Sequence, residues 1–161
     1  MIYGSKESEL ARRIGESLLY QGLTISTAES LTGGGLSACL VSVPGSSSWF
    51  KGSAVAYQNE IKRDLLKVPQ EVLDREGAVS EECVRRMAEG SLRLFDTDIA
   101  VAVSGVAGPG GDGSANPVGT VWIGLAIRSR TVAKKFLFKG DREHIRRSTI
   151  LAALDMIDEI I

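Results

Sequence analysis

The stretch at residues 98–104, Asp-Ile-Ala-Val-Ala-Val-Ser, restricts the fold of this chain more than any other part of the sequence. Its apolar run has no polar interruption, which predicts a β-strand that is buried on both of its faces. Such a strand needs a covering layer on each side, as in a sheet that lies between two layers of helices. A long polar loop rich in glycine and proline follows at residues 105–119.

The segments around this strand alternate between strand-like and helix-like patterns. Helical spacing of apolar residues predicts a first helix over residues 5–20, with Ser5 as its cap and Gly22 at its end. Further helices are predicted over residues 36–43 and 59–66 and from Pro69, Ser80 and Asp141 onward, and strands over residues 24–28, 51–57, 121–127 and 131–138. This order predicts an α/β protein, a three-layer α/β/α sandwich with a mixed sheet. The length of 161 residues fits one domain over the whole chain.

Charge and composition argue against several kinds of partner. The chain has 19 basic and 20 acidic side chains, so we expect neither direct nucleic-acid binding nor attraction to an anionic membrane. No apolar run approaches the roughly 18 residues of a membrane-spanning segment. Cys39 and Cys83 lie far apart, which favours free thiols in a cytoplasmic protein. With His144 as the only histidine and no metal-binding motif, we predict no metal and no other cofactor.

A serine and three glycines occupy the junction between the first predicted strand and the second predicted helix. The run there is Ala28-Glu29-Ser30-Leu31-Thr32-Gly33-Gly34-Gly35. Amides at a helix N-terminus attract anions, and glycine lets a ligand approach the backbone closely. Ser30 is a candidate nucleophile, and Thr32, Gly33 and Gly34 are candidate binding residues. The alternative is that Ser30 or Thr32 merely caps the helix.

Tyr57 and Lys62 form a second group, where a predicted strand gives way to a short helix. Lysine acts as a general base when burial lowers its pKa, and tyrosine can relay or donate a proton. A solvated surface charge is the alternative for Lys62, and Asn59 between them could serve only as a helix cap.

Two more groups supply candidate binding residues. Ser104 and Gly105 lie at the carboxyl end of the buried strand, where open α/β sheets usually bind ligands. Arg142 stands in the first turn of the last helix, ahead of Arg146 and Arg147. The helix dipole disfavours a cation there unless a phosphate or carboxylate contacts it. A surface ion pair with a neighbouring acid is the alternative for Arg142.

Taken together, these motifs resemble the CinA C-terminal domain family, the competence/damage-inducible protein relatives that include bacterial nicotinamide-nucleotide amidases. The resemblance runs from about residue 9 to residue 157. It rests on Ala-Glu-Ser-Leu-Thr-Gly-Gly at residues 28–34, Pro-Gly-Ser-Ser-Ser-Trp-Phe at 44–50, Tyr-Gln-Asn-Glu-Ile-Lys at 57–62, Gly-Ala-Val-Ser at 77–80, Ser-Gly-Val-Ala-Gly-Pro at 104–109 and Pro-Val-Gly-Thr-Val at 117–121. Longer members carry an additional N-terminal domain, so this chain resembles the stand-alone form. The resemblance also implies a homo-oligomer.

The resemblance implies a reaction, the hydrolysis of the carboxamide of nicotinamide mononucleotide to nicotinate mononucleotide and ammonia. Carried onto this sequence, the family's active-site serine falls on Ser30, its tyrosine on Tyr57 and its lysine on Lys62. Its second hydroxyl residue falls on Ser104, and its arginine falls on Arg142.

This assignment leads to a mechanistic hypothesis. Ser30 attacks the carboxamide, and Lys62, with help from Tyr57, accepts the proton. Amides near residues 32–34 stabilise the oxyanion, while Arg142 and the loop after the buried strand hold the phosphate. The opposite allocation, with the phosphate on the amides of residues 33 and 34, stays open.

Two other functions compete with this hypothesis. A phosphoester or pyrophosphate hydrolase could use the glycine-rich loops as phosphate cradles, but Asp112 stands alone in its loop where magnesium would need clustered carboxylates. A nucleotide-binding or partner-binding regulatory module, linked to competence or DNA damage, would show no turnover of the mononucleotide.

Overall fold

A five-stranded mixed sheet forms the centre of the molecule, which we describe over residues 3–161 from a computed structural model. The strands are β1 (Ile25–Glu29), β2 (Phe50–Val55), β3 (Ile99–Gly105), β4 (Thr120–Ile127) and β5 (Arg130–Leu137). Their order in the sheet is β2-β1-β3-β4-β5. The first three run parallel, and β4 and β5 are each antiparallel to the neighbour before them. The predicted mixed sheet and its terminal hairpin are therefore confirmed.

Within residues 3–161, six α-helices surround the sheet. They are α1 (Ser5–Gln21), α2 (Gly35–Val41), α3 (Asn59–Asp64), α4 (Gln70–Arg75), α5 (Glu81–Phe95) and α6 (Arg142–Asp158). The side chains of Ser80 and Asp141 cap α5 and α6 as predicted, because each accepts a hydrogen bond from an amide in the first turn. The predicted cap of α1 was wrong, since the N-cap is Gly4 and Ser5 is already helical. The loop predicted after α2 contains a short 3₁₀ turn at Ser46–Ser48.

The helices cover both faces of the sheet, which confirms the three-layer sandwich. On one face, Val101 and Val103 of β3 pack in a large core with residues of α1, α2 and α6. On the other face, Ala102 of β3 packs in a smaller core with residues of α5. Small side chains on this second face let α5 approach closely, and a Cβ on Gly124 of β4 would lie 2.6 Å from a carbonyl oxygen of that helix. As predicted, β3 is buried on both faces.

The topology brings three loops to one edge of the sheet. β1, β2 and β3 are parallel, so the segments after Glu29, Val55 and Gly105 all leave the sheet at their shared carboxyl edge. The start of α6 reaches the same edge through a contact between Arg142 and the loop after β3. Along residues 3–161, no helix combines the length and the hydropathy that crossing a bilayer requires.

Candidate active site

A cavity of about 470 Å³ opens at this carboxyl edge, a volume in the usual range for small-molecule sites. The loops after β1, β2 and β3 line it together with the first turn of α6. The sequence-predicted residues among its lining are Ser30, Tyr57, Lys62, Ser104, Gly105 and Arg142. The other three predicted residues, Thr32, Gly33 and Gly34, are absent from the cavity lining.

Ser30 and Lys62 form the chemical centre of this cavity. The Nζ atom of Lys62 lies 3.2 Å from the Oγ atom of Ser30 and 3.0 Å from the main-chain carbonyl oxygen of Tyr57. Lys62 is only 1% exposed, although it belongs to a short helix at the protein surface. Burial lowers the pKa of its amine, because the charged form loses its hydration.

No acidic side chain offsets this burial. Lys62 takes part in none of the ion pairs that form within residues 3–161. A neutral amine at this position can accept a proton from the neighbouring hydroxyl, which is the arrangement that activates a serine nucleophile. The alternative of a solvated surface lysine is therefore wrong for Lys62.

Tyr57 contacts this centre through its main chain rather than its phenol. The residue is 54% exposed beside the cavity, and its hydroxyl accepts a hydrogen bond of 3.3 Å from Nη2 of Arg142. Its carbonyl oxygen accepts the hydrogen bond from Lys62. The phenol hydroxyl bonds to neither Ser30 nor Lys62 in this structure, so the contact that would let it relay their proton is not formed.

Arg142 joins two of the loops that enclose the cavity. Its Nη1 atom donates to the carbonyl oxygen of Gly108 at 2.8 Å, and its Nη2 atom reaches the hydroxyl of Tyr57. Arg142 forms none of the ion pairs within residues 3–161, so the alternative of a pairing with a neighbouring acid is not realised. Its guanidinium group remains a cation beside the cavity with no anion against it.

Ser104 and Gly105 form part of the cavity wall. The Ser104 hydroxyl is almost fully buried and donates to the carbonyl oxygen of Ala78 at 2.8 Å. A Cβ on Gly105 would lie 2.8 Å from the carbonyl oxygen of Thr120, so glycine allows β4 to approach at this position.

Glu29 is the residue that sequence reasoning missed. Its carboxylate is fully buried and accepts hydrogen bonds from the amides of Gly34, Leu36 and Ser37, at 3.0, 3.0 and 2.7 Å. The hydroxyl of Thr32 donates to the same carboxylate at 2.6 Å. Glu29 thus satisfies the unpaired amides at the start of α2, as a capping carboxylate does at a helix N-terminus. An acid six residues before a glycine-rich helix start was the available signal.

Three of the donors on Thr32, Gly33 and Gly34 already have partners within the turn. The Gly33 amide donates to the carbonyl oxygen of Ser30 at 3.0 Å, and the Gly34 amide and the Thr32 hydroxyl belong to Glu29. None of these groups is free for an oxyanion or a phosphate. The main-chain amides of Leu31 and Thr32 donate to no acceptor within residues 3–161, and of these two residues Leu31 lines the cavity.

Glycine is required at positions 33–35 for two different reasons. Gly33 and Gly34 adopt φ values of +60° and +94°, in the left-handed region that side chains disfavour. Gly35 instead allows close packing, because a Cβ there would lie 2.9 Å from the Cδ1 atom of Ile150 on α6. The conformation and the packing together shape the turn that carries Ser30.

The cysteines and the acidic side chains are further candidates for reactive or metal-binding groups. Cys39 and Cys83 are free, buried thiols, and burial raises the pKa of each to about 11. Within residues 3–161, no three His, Cys, Asp or Glu side chains lie together as metal ligands would. A more apolar cavity between α1 and α2 contains none of the predicted site residues.

A three-layer α/β/α fold and a serine paired with a buried lysine define an α/β protein with a serine–lysine site. The family model of the CinA C-terminal domain matches residues 7–161 of the chain. The chain therefore belongs to the CinA C-terminal domain family, as the motifs predicted.

Similar proteins include both short and long chains. The chain is 47% identical to the nicotinamide-nucleotide amidohydrolase PncC of Pseudomonas putida, over 91% of each protein. It is 48% identical to a CinA-like protein of Dictyoglomus thermophilum, over 97% of this chain, and spans only 38% of that relative's length. It likewise spans 38% of the CinA-like protein of Dictyoglomus turgidum and 36% of that of Endomicrobium trichonymphae.

Solved structures agree with the fold. The competence damage-inducible protein A of Klebsiella pneumoniae superposes with a TM-score of 0.94 at 38% identity, over 96% of both chains. The competence/damage inducible protein CihA of Agrobacterium tumefaciens superposes with a TM-score of 0.93 at 38% identity, over 96% of this chain and 95% of that one.

Proposed function

We propose that the chain is an amidohydrolase that converts nicotinamide mononucleotide to nicotinate mononucleotide and ammonia. The observation that carries the proposal is the 3.2 Å pairing of the Ser30 hydroxyl with the buried amine of Lys62 inside the cavity. Support for this substrate comes from the Pseudomonas putida relative, whose name describes a nicotinamide-nucleotide amidohydrolase and which matches along 91% of its length.

In the proposed first step, Ser30 Oγ attacks the carboxamide carbon while neutral Lys62 accepts the hydroxyl proton. The carbon–nitrogen bond then breaks, and Lys62 returns the proton to the leaving nitrogen, which departs as ammonia. In the second step, Lys62 takes a proton from a water molecule that attacks the acyl–serine ester. Nicotinate mononucleotide leaves, and Ser30 regains its proton.

The oxyanion of each tetrahedral intermediate is assigned to the Leu31 amide. An amide directly after the nucleophile is a common oxyanion donor, and one such donor contributes about 3 kcal/mol to the transition state. This role falls to Leu31 rather than to residues 32–34, because Leu31 lines the cavity and those residues do not, and because the amides of Gly33 and Gly34 already bond to Ser30 and Glu29.

The phosphate is assigned to Arg142. Its guanidinium group lines the cavity beside the loop that follows β3, and it forms no ion pair within residues 3–161. Arginine suits a phosphate because its planar fork can donate two parallel hydrogen bonds. We also expect a cytoplasmic setting, since the two cysteines remain free thiols, and we keep a homo-oligomer as an expectation.

The decisive experiment measures ammonia release from nicotinamide mononucleotide by the wild-type chain and by Ser30→Ala, with and without a chelator. We expect turnover that resists the chelator and a loss of at least about 10³-fold in Ser30→Ala. Ser48→Ala, at an exposed serine, is the matched control and keeps wild-type activity.

Each contrary result has a distinct meaning. Near-normal turnover in Ser30→Ala would refute the role of Ser30 as the nucleophile. Absence of ammonia release by the wild type would refute the substrate and favour a binding module. Ammonia release that the chelator abolishes would instead mean a metal-dependent amide hydrolysis, and chelator-sensitive release of phosphate without ammonia would favour a metal-dependent phosphoester hydrolase.

A further inference from the structure

Arg146 belongs to no step of the proposed reaction, yet it makes two ordered contacts with the turn that carries Ser30. Its Nε atom donates to the carbonyl oxygen of Leu31 at 2.9 Å, and its Nη2 atom donates to that of Thr32 at 3.0 Å. It lies on α6 one helical turn after Arg142, on the same side of the helix. Unlike Arg142, it is absent from the cavity lining, so it is not placed to contact substrate.

These two bonds restrict the main chain of the turn. The C=O and N–H groups of a trans peptide point in opposite directions, because the peptide unit is planar. With the Leu31 carbonyl held by Arg146 on α6, the amide of Thr32 must point away from that helix. Rotation of this peptide unit would break the bond to Nε.

Glu29 restricts the same turn by accepting hydrogen bonds from the donors of the turn. Its carboxylate accepts from the Thr32 hydroxyl and from the amides of Gly34 and Leu36, while Arg146 takes the carbonyls of Leu31 and Thr32. The Glu29 carboxylate thus binds the hydrogen-bond donors of the turn, and the Arg146 guanidinium binds its acceptors. Two glycines of this turn have positive φ. Glycine gives such a segment unusual conformational freedom, which these contacts remove.

We infer that Arg146 is a positioning residue that orients the turn from Ser30 to Gly34, so that the Ser30 hydroxyl and the free Leu31 amide face the cavity. The inference rests on the proposed function for its catalytic consequence. Its structural part, that the guanidinium group holds the turn, is independent of which substrate is used.

The test compares Arg146→Lys and Arg146→Gln with the wild type. Lysine keeps the charge but cannot donate through the two separate nitrogens that reach the two carbonyls, so it should recover only part of the loss. We expect kcat for ammonia release to fall at least tenfold in Arg146→Gln while KM stays within about threefold, because substrate contacts are preserved. The pH profile should keep its shape, since Lys62 is untouched.

Arg147→Gln is the matched control on the same helix. Arg147 is exposed, and its contact is an ion pair of 3.5 Å with Glu7, away from the turn. Its kcat should stay within twofold of the wild type. Amide hydrogen exchange adds a readout that needs no substrate, and residues 29–36 should exchange faster in Arg146→Gln but not in Arg147→Gln.

Each outcome separates the inference from the proposed function. An Arg146→Gln enzyme within threefold of wild-type kcat, or exchange that accelerates over the whole chain rather than residues 29–36, would overturn the positioning role. If Arg146→Gln does not fold, the same criteria apply to Arg146→Lys. If the wild type releases no ammonia while exchange still accelerates only in residues 29–36, the proposed function fails and the contact of Arg146 with the turn stands.

Discussion

The side-chain nitrogen of Lys62 lies 3.2 Å from the hydroxyl oxygen of Ser30, although the two residues are 32 positions apart in the chain. β1 and β2 are parallel neighbours, so the turn after β1 and the helix after β2 meet at one edge of the sheet. Lys62 then projects inward from α3 and is buried without an acidic partner. The reactivity proposed for Ser30 depends on that burial.

Replacement of Lys62 by methionine should separate activity from stability. We expect ammonia release to fall at least about 10³-fold, because the proton acceptor is lost, and added alkali should not restore it. The free energy of unfolding should stay equal or rise, because methionine has no charge to desolvate. Denaturant unfolding and ammonia assays measure both, with Lys51→Met, at an exposed lysine, as the control.

The lowered pKa of Lys62 also predicts a pH dependence. Activity requires the neutral amine, so kcat/KM should rise with pH through that pKa, at values below the reference of about 10.4. Between the lowered pKa in the folded protein and about 10.4 in the unfolded chain, the unfolded state binds more protons, so stability rises with pH. In Lys62→Met this rise should be absent. An unchanged stability profile in the variant would contradict a lowered pKa for Lys62.

Replacement of Glu29 by glutamine should destabilise the protein. The amide NH₂ group of glutamine would face one of the donors that now bond to the carboxylate, which leaves a buried N–H or O–H group unpaired. The expected cost is about 1–3 kcal/mol in the free energy of unfolding, measured with denaturant. Glu60→Gln, an exposed change at the start of α3, should stay within about 0.5 kcal/mol. Equal stability of the two variants would show that Glu29 does not stabilise the start of α2.

Substitutions at Tyr57 and Arg142 should affect different kinetic parameters. Tyr57→Phe removes only the hydrogen bond to Arg142 and keeps the carbonyl that holds Lys62, so kcat should fall less than about fivefold. A loss of about 10²-fold or more in kcat would instead mean that the phenol transfers protons.

Arg142→Ala should raise KM at least about tenfold, because it removes the cation assigned to the phosphate. An unchanged KM would exclude that assignment.

The sheet was largely predictable, because its elements depend on local patterns. The apolar run of β3 and the strand–helix alternation predict a mixed sheet in a sandwich, and Ser80 and Asp141 mark helix starts. The cap of α1 was predicted wrongly because serine is a common N-cap residue. In the structure Gly4 is the N-cap, and Ser5 is already the first helical residue. The residues around the cavity followed from the family motifs rather than from periodicity.

The sequence by itself determined the layered fold, the position of Ser30 between a strand and a helix, and the chemical types at Lys62 and Arg142. Only the tertiary structure decided how the donors and acceptors around Ser30 are used. Glu29 accepts hydrogen bonds from amides that the sequence analysis had assigned to a ligand. Arg146, on a helix more than a hundred residues away in the chain, donates to two carbonyls of the same turn. Hydrogen bonds between distant segments leave no periodic pattern, because they depend on which groups the packed layers bring within about 3 Å.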